Sequence, residues 1–222
     1  MKNKANTYGI ILLVFICCGI MAFIETVVEP AYAVKSAIKV VVFLLFPLIF
    51  AKIAGIKLFD HSFAPDRKRI LPLLALGCLI YGVILGAYAL TTSIFDYASL
   101  VQSLSADQNV EPASFVWVAL YISFANSLLE EFLFRFVAFL KLSDYTSRKA
   151  AYLFSSIAFA VYHAAMIGTS FPPPLLFLAL IGLTVGGCIF DYVDEKGGTF
   201  CYSWMIHMCA DFAIMTIWYL HI

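Results

Sequence analysis

Apolar residues fill this chain in seven long runs separated by short polar breaks, and charge seldom intervenes within a run. A helix needs about 20 such residues to cross a bilayer. Residues 8–24, 34–54, 70–95, 114–140, 149–167, 173–192 and 200–220 each supply a candidate span. Pro47 falls inside the second and predicts a kink there. Pro172, Pro173 and Pro174 stand where the sixth can begin, because the first N–H groups of a helix have no intrahelical partner. The pairs Gly82/Gly86 and Gly182/Gly186 have the spacing that lets membrane helices approach closely. These patterns predict an all-α fold: a polytopic membrane helix bundle of about seven transmembrane helices, built as a single integral membrane domain over residues 1–222.

Composition agrees. The chain is 63% hydrophobic and only 13% charged, against about 25% charged in an ordinary soluble domain, so lipid is the solvent for most of it. The net charge is zero and no basic patch exists, which argues against a nucleic-acid partner. The six cysteines form no CxxC pair, so neither a disulfide framework nor a zinc knuckle is expected. They read as small core residues.

Loop charges set orientation. With the N-terminus cytoplasmic, Lys2, Lys4, Lys52, Lys57, Arg67, Lys68, Arg69, Lys141, Arg148, Lys149 and Lys196 fall inside, and only Lys35 and Lys39 fall outside, near the start of the second span. The longest outer loop, residues 91–113, has no Lys or Arg and carries Asp96, Asp107 and Glu111. The first run is longer than a signal-peptide core, and Glu25 and Glu29 follow it, so it reads as a span. The expected location is the cell membrane, in a bacterium by the short chain without an organelle signal.

Once loop charges are set aside, Glu130, Glu131, Arg135, His163, His207 and Asp211 remain inside spans. Ionisable groups there are costly and mark function. At 1.5 Å per residue from the cytoplasmic ends, Glu130 lies about 15 Å deep, His163 about 21 Å, His207 about 11 Å and Asp211 about 17 Å. Three helices thus bring polar groups to similar depth, which predicts one cluster in the inner half of the membrane. Ser123, Asn126, Ser127 and Glu130 share one helical face. Glu131 and Arg135 are an i,i+4 pair in the favourable order, and Glu130 has no such partner on its own helix. Two chemistries use this set. A carboxylate and a histidine can activate water while a second histidine and a short polar residue donate to the oxyanion. Alternatively, the two histidines and a carboxylate can ligate zinc with a position left open for water. The HExxH helix of zinc peptidases is absent, as is a GxSxG elbow.

Three motifs in order carry a resemblance: the EExxxR run from Glu130 to Arg135, the FxxxH run from Phe159 to His163, and the HxxxN-like run from His207 to Asp211. Together they resemble the CAAX-type prenyl-protein endopeptidase and bacteriocin-processing or immunity (CPBP, Abi) family. The likeness covers residues 114–222, the catalytic helices. It implies an intramembrane endopeptidase in which Glu130 with His163 activates water, His207 and Asp211 line the oxyanion side, and Glu131 and Arg135 support the site. Many members have Asn where this chain has Asp211, and an ionised Asp cannot donate to an oxyanion. The expected substrate is a membrane-associated peptide or protein, such as a CAAX-like tail or a bacteriocin or pheromone precursor. No cofactor is expected, with zinc the alternative that is not favoured. A non-catalytic immunity or scaffold protein of the same family is the competing reading. A carrier would show related halves, which this sequence lacks.

Overall fold

Lipid as solvent reverses the usual placement of residues, and the computed structural model of the chain shows that reversal directly. It describes residues 4–58, 65–108, 110–168 and 170–222; Lys2 of the charge pattern lies outside them. Leu12, Phe15, Leu71, Leu79, Leu90, Val116, Leu153 and Phe177 face outward, while Lys39, Glu130, Glu131, Arg135, Asp191 and Asp194 are buried. Polar groups with no water available must find partners inside the bundle.

Eight helices form the described residues, which contain no strand: α1 (Lys4–Val28), α2 (Tyr32–Ala54), α3 (Arg67–Thr91), α4 (Tyr97–Asp107), α5 (Pro112–Tyr145), α6 (Arg148–Ile167), α7 (Pro173–Gly197) and α8 (Cys201–Tyr219). Six of them, all but α4 and α8, are long and apolar enough to cross a membrane. That is one fewer than the seven expected. Helix α8 has the length, but Tyr202, Ser203, Trp204, His207 and Asp211 dilute its apolar character, and it packs inside the bundle against α3 and α7. The stretch 91–113, expected to be a loop, contains α4. Asp96 caps that helix, accepting from the backbone N–H of Ser99 at 3.2 Å and from its hydroxyl at 2.6 Å.

Local sequence explains the ends and irregularities. Asp66 caps α3 through the Lys68 N–H, Ser147 caps α6 through Ala150 N–H, and α7 starts at Pro173 as predicted. Pro47 is accommodated by wide π turns over Val41–Leu45 just before it. Proline has no N–H to give back along the helix, and the Cys17 thiol donates to the Val42 carbonyl at 3.2 Å.

Close helix approach does not occur at the glycine pairs that the sequence marked. A Cβ at Gly82, Gly86, Gly182 or Gly186 would meet nothing within 4 Å. Tight contacts between helices occur instead at Gly77, where a Cβ would fall 2.7 Å from Cys209 Sγ, and at Gly187, 3.0 Å from Ser156 Cα, among others. These glycines let α3 meet α8 and α6 meet α7. The cysteines also correct the expectation of a uniform core role: Cys17 is buried, whereas Cys78 and Cys188 are exposed.

Candidate active site

Helix α5 runs through the middle of the bundle and carries both glutamates. Ordinary α turns at Ser127–Glu131 are flanked by wide π turns over Tyr121–Asn126 and Phe132–Lys141. All ten residues of the second wide stretch are buried, the charged Arg135 and Lys141 among them. Wide turns of this kind are frequent at functional sites.

Glu130 and Glu131, though adjacent, serve different neighbours. Glu130 Oε1 accepts from Lys39 Nζ at 2.5 Å and from Asn126 Nδ2 at 3.0 Å. Its other oxygen, Oε2, faces His163 Nε2 at 3.5 Å and His207 Nε2 at 3.8 Å. Asp211 Oδ1 completes the group, 3.5 Å from His207 Nε2. The four side chains named from the sequence therefore converge on one point, and α5, α6 and α8 each contribute, as the depth argument required.

Hydrogen bonds fix both rings. His163 Nδ1 lies 2.8 Å from the Phe159 carbonyl, which only accepts, so Nδ1 carries a proton and Nε2 is the nitrogen turned toward Glu130. His207 Nδ1 donates to Glu131 Oε1 at 2.7 Å. The His207 ring is held between Phe159 and Phe190, with centroids at 5.7 and 5.4 Å.

Behind Glu131 lies a second, fully buried network. Arg135 Nε is 3.4 Å from Glu131 Oε2 and 3.7 Å from Asp191 Oδ1. Arg135 Nη1 donates to Ser155 Oγ at 2.9 Å, and the guanidinium stacks 4.4 Å from the Phe159 ring centroid. Ser155 and Ser156 hydroxyls both contact the Asp191 carboxylate. The expected Glu131–Arg135 pair is present, extended by Asp191 from α7.

The α7–α8 turn sets the position of His207. Gly198 closes α7 in the left-handed region, at φ 72°, where a side chain is disfavoured. A Cβ on Gly197 would fall 1.8 Å from the Tyr202 ring. Asp194 Oδ1 accepts the Ser203 N–H at 2.9 Å, tying the start of α8 to α7. With that register, His207 sits opposite Glu131.

One reading of the sequence needs correction. Lys35 and Lys39 are not outer-loop charges. Lys35 is buried and pairs with Glu25 at 3.1 Å, and Lys39 is buried against Glu130. Glu130 has no basic partner on its own helix, as the sequence indicated, and α2 supplies one from another helix. Asp191 and Asp194 went unremarked as well. The signals were modest: a lysine five residues inside an apolar run, and two acids near the end of another. Among the described residues, no group of three or more His, Cys, Asp or Glu side chains is disposed to hold a metal ion.

Residues 112–213 match the family model for type II CAAX prenyl endopeptidase Rce1-like proteins. That stretch, a little under half of the chain, is similar to Rce1-like proteins. The Rce1-like stretch runs from the start of α5 into α8 and contains all six residues singled out by sequence. It makes the similarity one to a family of membrane proteases, while α1 to α4 lie outside it. No curated protein and no solved structure matches the chain.

Proposed function

We propose that this protein is an intramembrane endopeptidase that uses Glu130 and His163 to activate water against a peptide bond of a membrane-associated protein or peptide. The observation that carries the reading is the division of labour on the Glu130 carboxylate. One oxygen is engaged by Lys39 and Asn126, and the other is left between the Nε2 atoms of two histidines.

A water held by both Glu130 Oε2 and His163 Nε2, which are 3.5 Å apart, can give either one a proton as its oxygen adds to the carbonyl carbon. His207, in its imidazolium form, has an Nε2–H on the same side to donate to the developing oxyanion. Asp211, 3.5 Å from that nitrogen, serves as a second donor when protonated; its Oδ2 is buried and has no hydrogen-bond partner among the described residues. Donors of this type are each worth roughly 3–4 kcal/mol of barrier. Collapse of the tetrahedral species breaks the C–N bond, and the proton taken from water goes to the leaving amine. Glu131 orients His207, and Arg135 with Asp191 holds Glu131.

No metal enters this reading. What supports it is the pair of fixed cations, Lys39 on Glu130 and Arg135 on Glu131, set against the carboxylates that a dication would need. The proposed substrates are a prenylated CAAX-like tail or a bacteriocin or pheromone precursor. The proposed setting is a bacterial plasma membrane with the N-terminus cytoplasmic. With Lys35 and Lys39 taken up inside the bundle, the segments that this orientation places outside carry no Lys or Arg at all.

The test is co-expression with candidate membrane-associated peptides, comparing product masses for the wild-type chain and Glu130→Ala. A new cleavage product that depends on Glu130 supports the reading. A peptide bound and left uncut by the wild type would favour the immunity or scaffold role instead.

A further inference from the structure

Helix α2 lies outside the Rce1-like stretch, yet it delivers a charged group to the centre of the candidate site. Lys39 Nζ sits 2.5 Å from Glu130 Oε1 and 2.5 Å from Asn126 Oδ1. Its side chain is only 4% exposed, and the ammonium lies 5.2 and 5.1 Å from the ring centroids of Phe43 and Tyr162. Two acceptors and two aromatic faces thus hold a single cation in one place.

We propose that Lys39 is a positioning residue of the active site, holding the Glu130 carboxylate so that only Oε2 is presented to the reacting water. The inference rests on the peptidase reading and adds to it a residue from outside the matched stretch. A buried carboxylate takes whatever counter-ion is near. Without Lys39, the nearest cationic candidates are His163 and His207, whose Nε2 atoms already stand 3.5 and 3.8 Å away. Glu130 would close on one of them, and both the base and the space for water would be lost. With Lys39 and Asn126 both on Oε1, the carboxylate plane is fixed and the histidines keep their separate partners, Phe159 and Glu131. Asn126 alone gives one neutral hydrogen bond, with no charge to compete against an imidazolium.

The experiment compares wild type, Lys39→Met, Lys39→Arg and Glu130→Gln as purified full chains in proteoliposomes. The probe is an internally quenched peptide with a farnesylated CAAX tail, and thermal unfolding of each variant and of the Lys39→Met/Glu130→Gln double variant is measured alongside. Misplacing a reacting group by about 1 Å costs about 100-fold, so Lys39→Met is expected to lose about that much in kcat, with KM within about twofold. Lys39→Arg should keep at least about a tenth of wild-type kcat, because charge and reach survive. The double variant should be less destabilised than the sum of the singles, since the two residues are partners.

Wild-type kcat in Lys39→Met, a loss confined to KM, or Lys39→Arg as inactive as Lys39→Met would each overturn the proposal. If Lys39→Met does not fold, Lys39→Gln takes its place and is held to the same criteria. A wild-type chain inert on the probe but with coupled stabilities counts against the peptidase reading. An active wild type with additive stabilities and unchanged Lys39→Met counts against Lys39 alone.

Discussion

His207 Nδ1 donates to Glu131 Oε1 at 2.7 Å, so the other ring nitrogen is the one turned toward Glu130 and Asp211. This makes Glu131 more than the partner of Arg135. It decides which face of His207 the reaction meets. Glutamine at 131 can still accept from Nδ1 but brings no charge to steady an imidazolium. Glu131→Gln is therefore expected to retain measurable activity at about 10–100-fold below wild type, whereas Glu130→Gln should lose the full general-base contribution of about 10²–10⁴-fold. Steady-state kinetics at matched protein level decides it. Equal losses would mean that the two carboxylates act as one unit.

Asp211 separates donation from charge. Asn offers an N–H donor in the same place, so Asp211→Asn should stay active, while Asp211→Ala should lose about 10²–10³ in rate. An inactive Asp211→Asn would show that the carboxylate itself is needed, either to orient His207 or to bind a metal.

Metal dependence has its own measurement. Purified protein is expected to keep its turnover after exhaustive chelation and to contain well under one metal per chain. Stoichiometric zinc whose removal stops turnover and whose return restores it would make His163 and His207 ligands.

The second network predicts stability rather than rate. Arg135 stands between Glu131 and Asp191, with no part of it exposed. Removing one partner of a buried ion pair costs about 3–5 kcal/mol, so Arg135→Met should unfold far more readily in detergent. Arg135→Met combined with Asp191→Asn should recover part of the loss. A thermal melt of Arg135→Met that matches wild type would show that the network does not hold the fold.

Gly197 and Gly82 provide a contrast in packing. A Cβ at Gly197 would collide with the Tyr202 ring, while one at Gly82 meets open space. Gly197→Ala should cost about 1–3 kcal/mol through displaced backbone, and activity should fall with it because α8 carries His207. Gly82→Ala should change neither. Thermal unfolding and turnover of the two variants, measured together, check the pair.

How much of this was legible follows from what a sequence records. Periodicity and depth were enough to bring Glu130, His163, His207 and Asp211 together, because a charge inside an apolar run has few places to go. Lys39 escaped that logic. It lies near the beginning of its run and resembled a loop charge, and its partner is on a helix remote in sequence. Asp191 was passed over for a similar reason, since its partners Arg135, Ser155 and Ser156 sit on two other helices. The glycines failed differently: spacing marks where close approach is permitted, and only packing shows that Gly77 and Gly187 are where it happens. Six helices rather than seven are apolar enough to span because Tyr202, Ser203, Trp204, His207 and Asp211 make α8 less apolar.

The central claim is that Glu130 is the base of a peptidase. It is tested most directly by kcat for Glu130→Gln on a farnesylated CAAX peptide, in protein shown to melt with the wild type. The account predicts a loss of at least about 10²-fold with substrate binding retained. Turnover within a few-fold of wild type would contradict it.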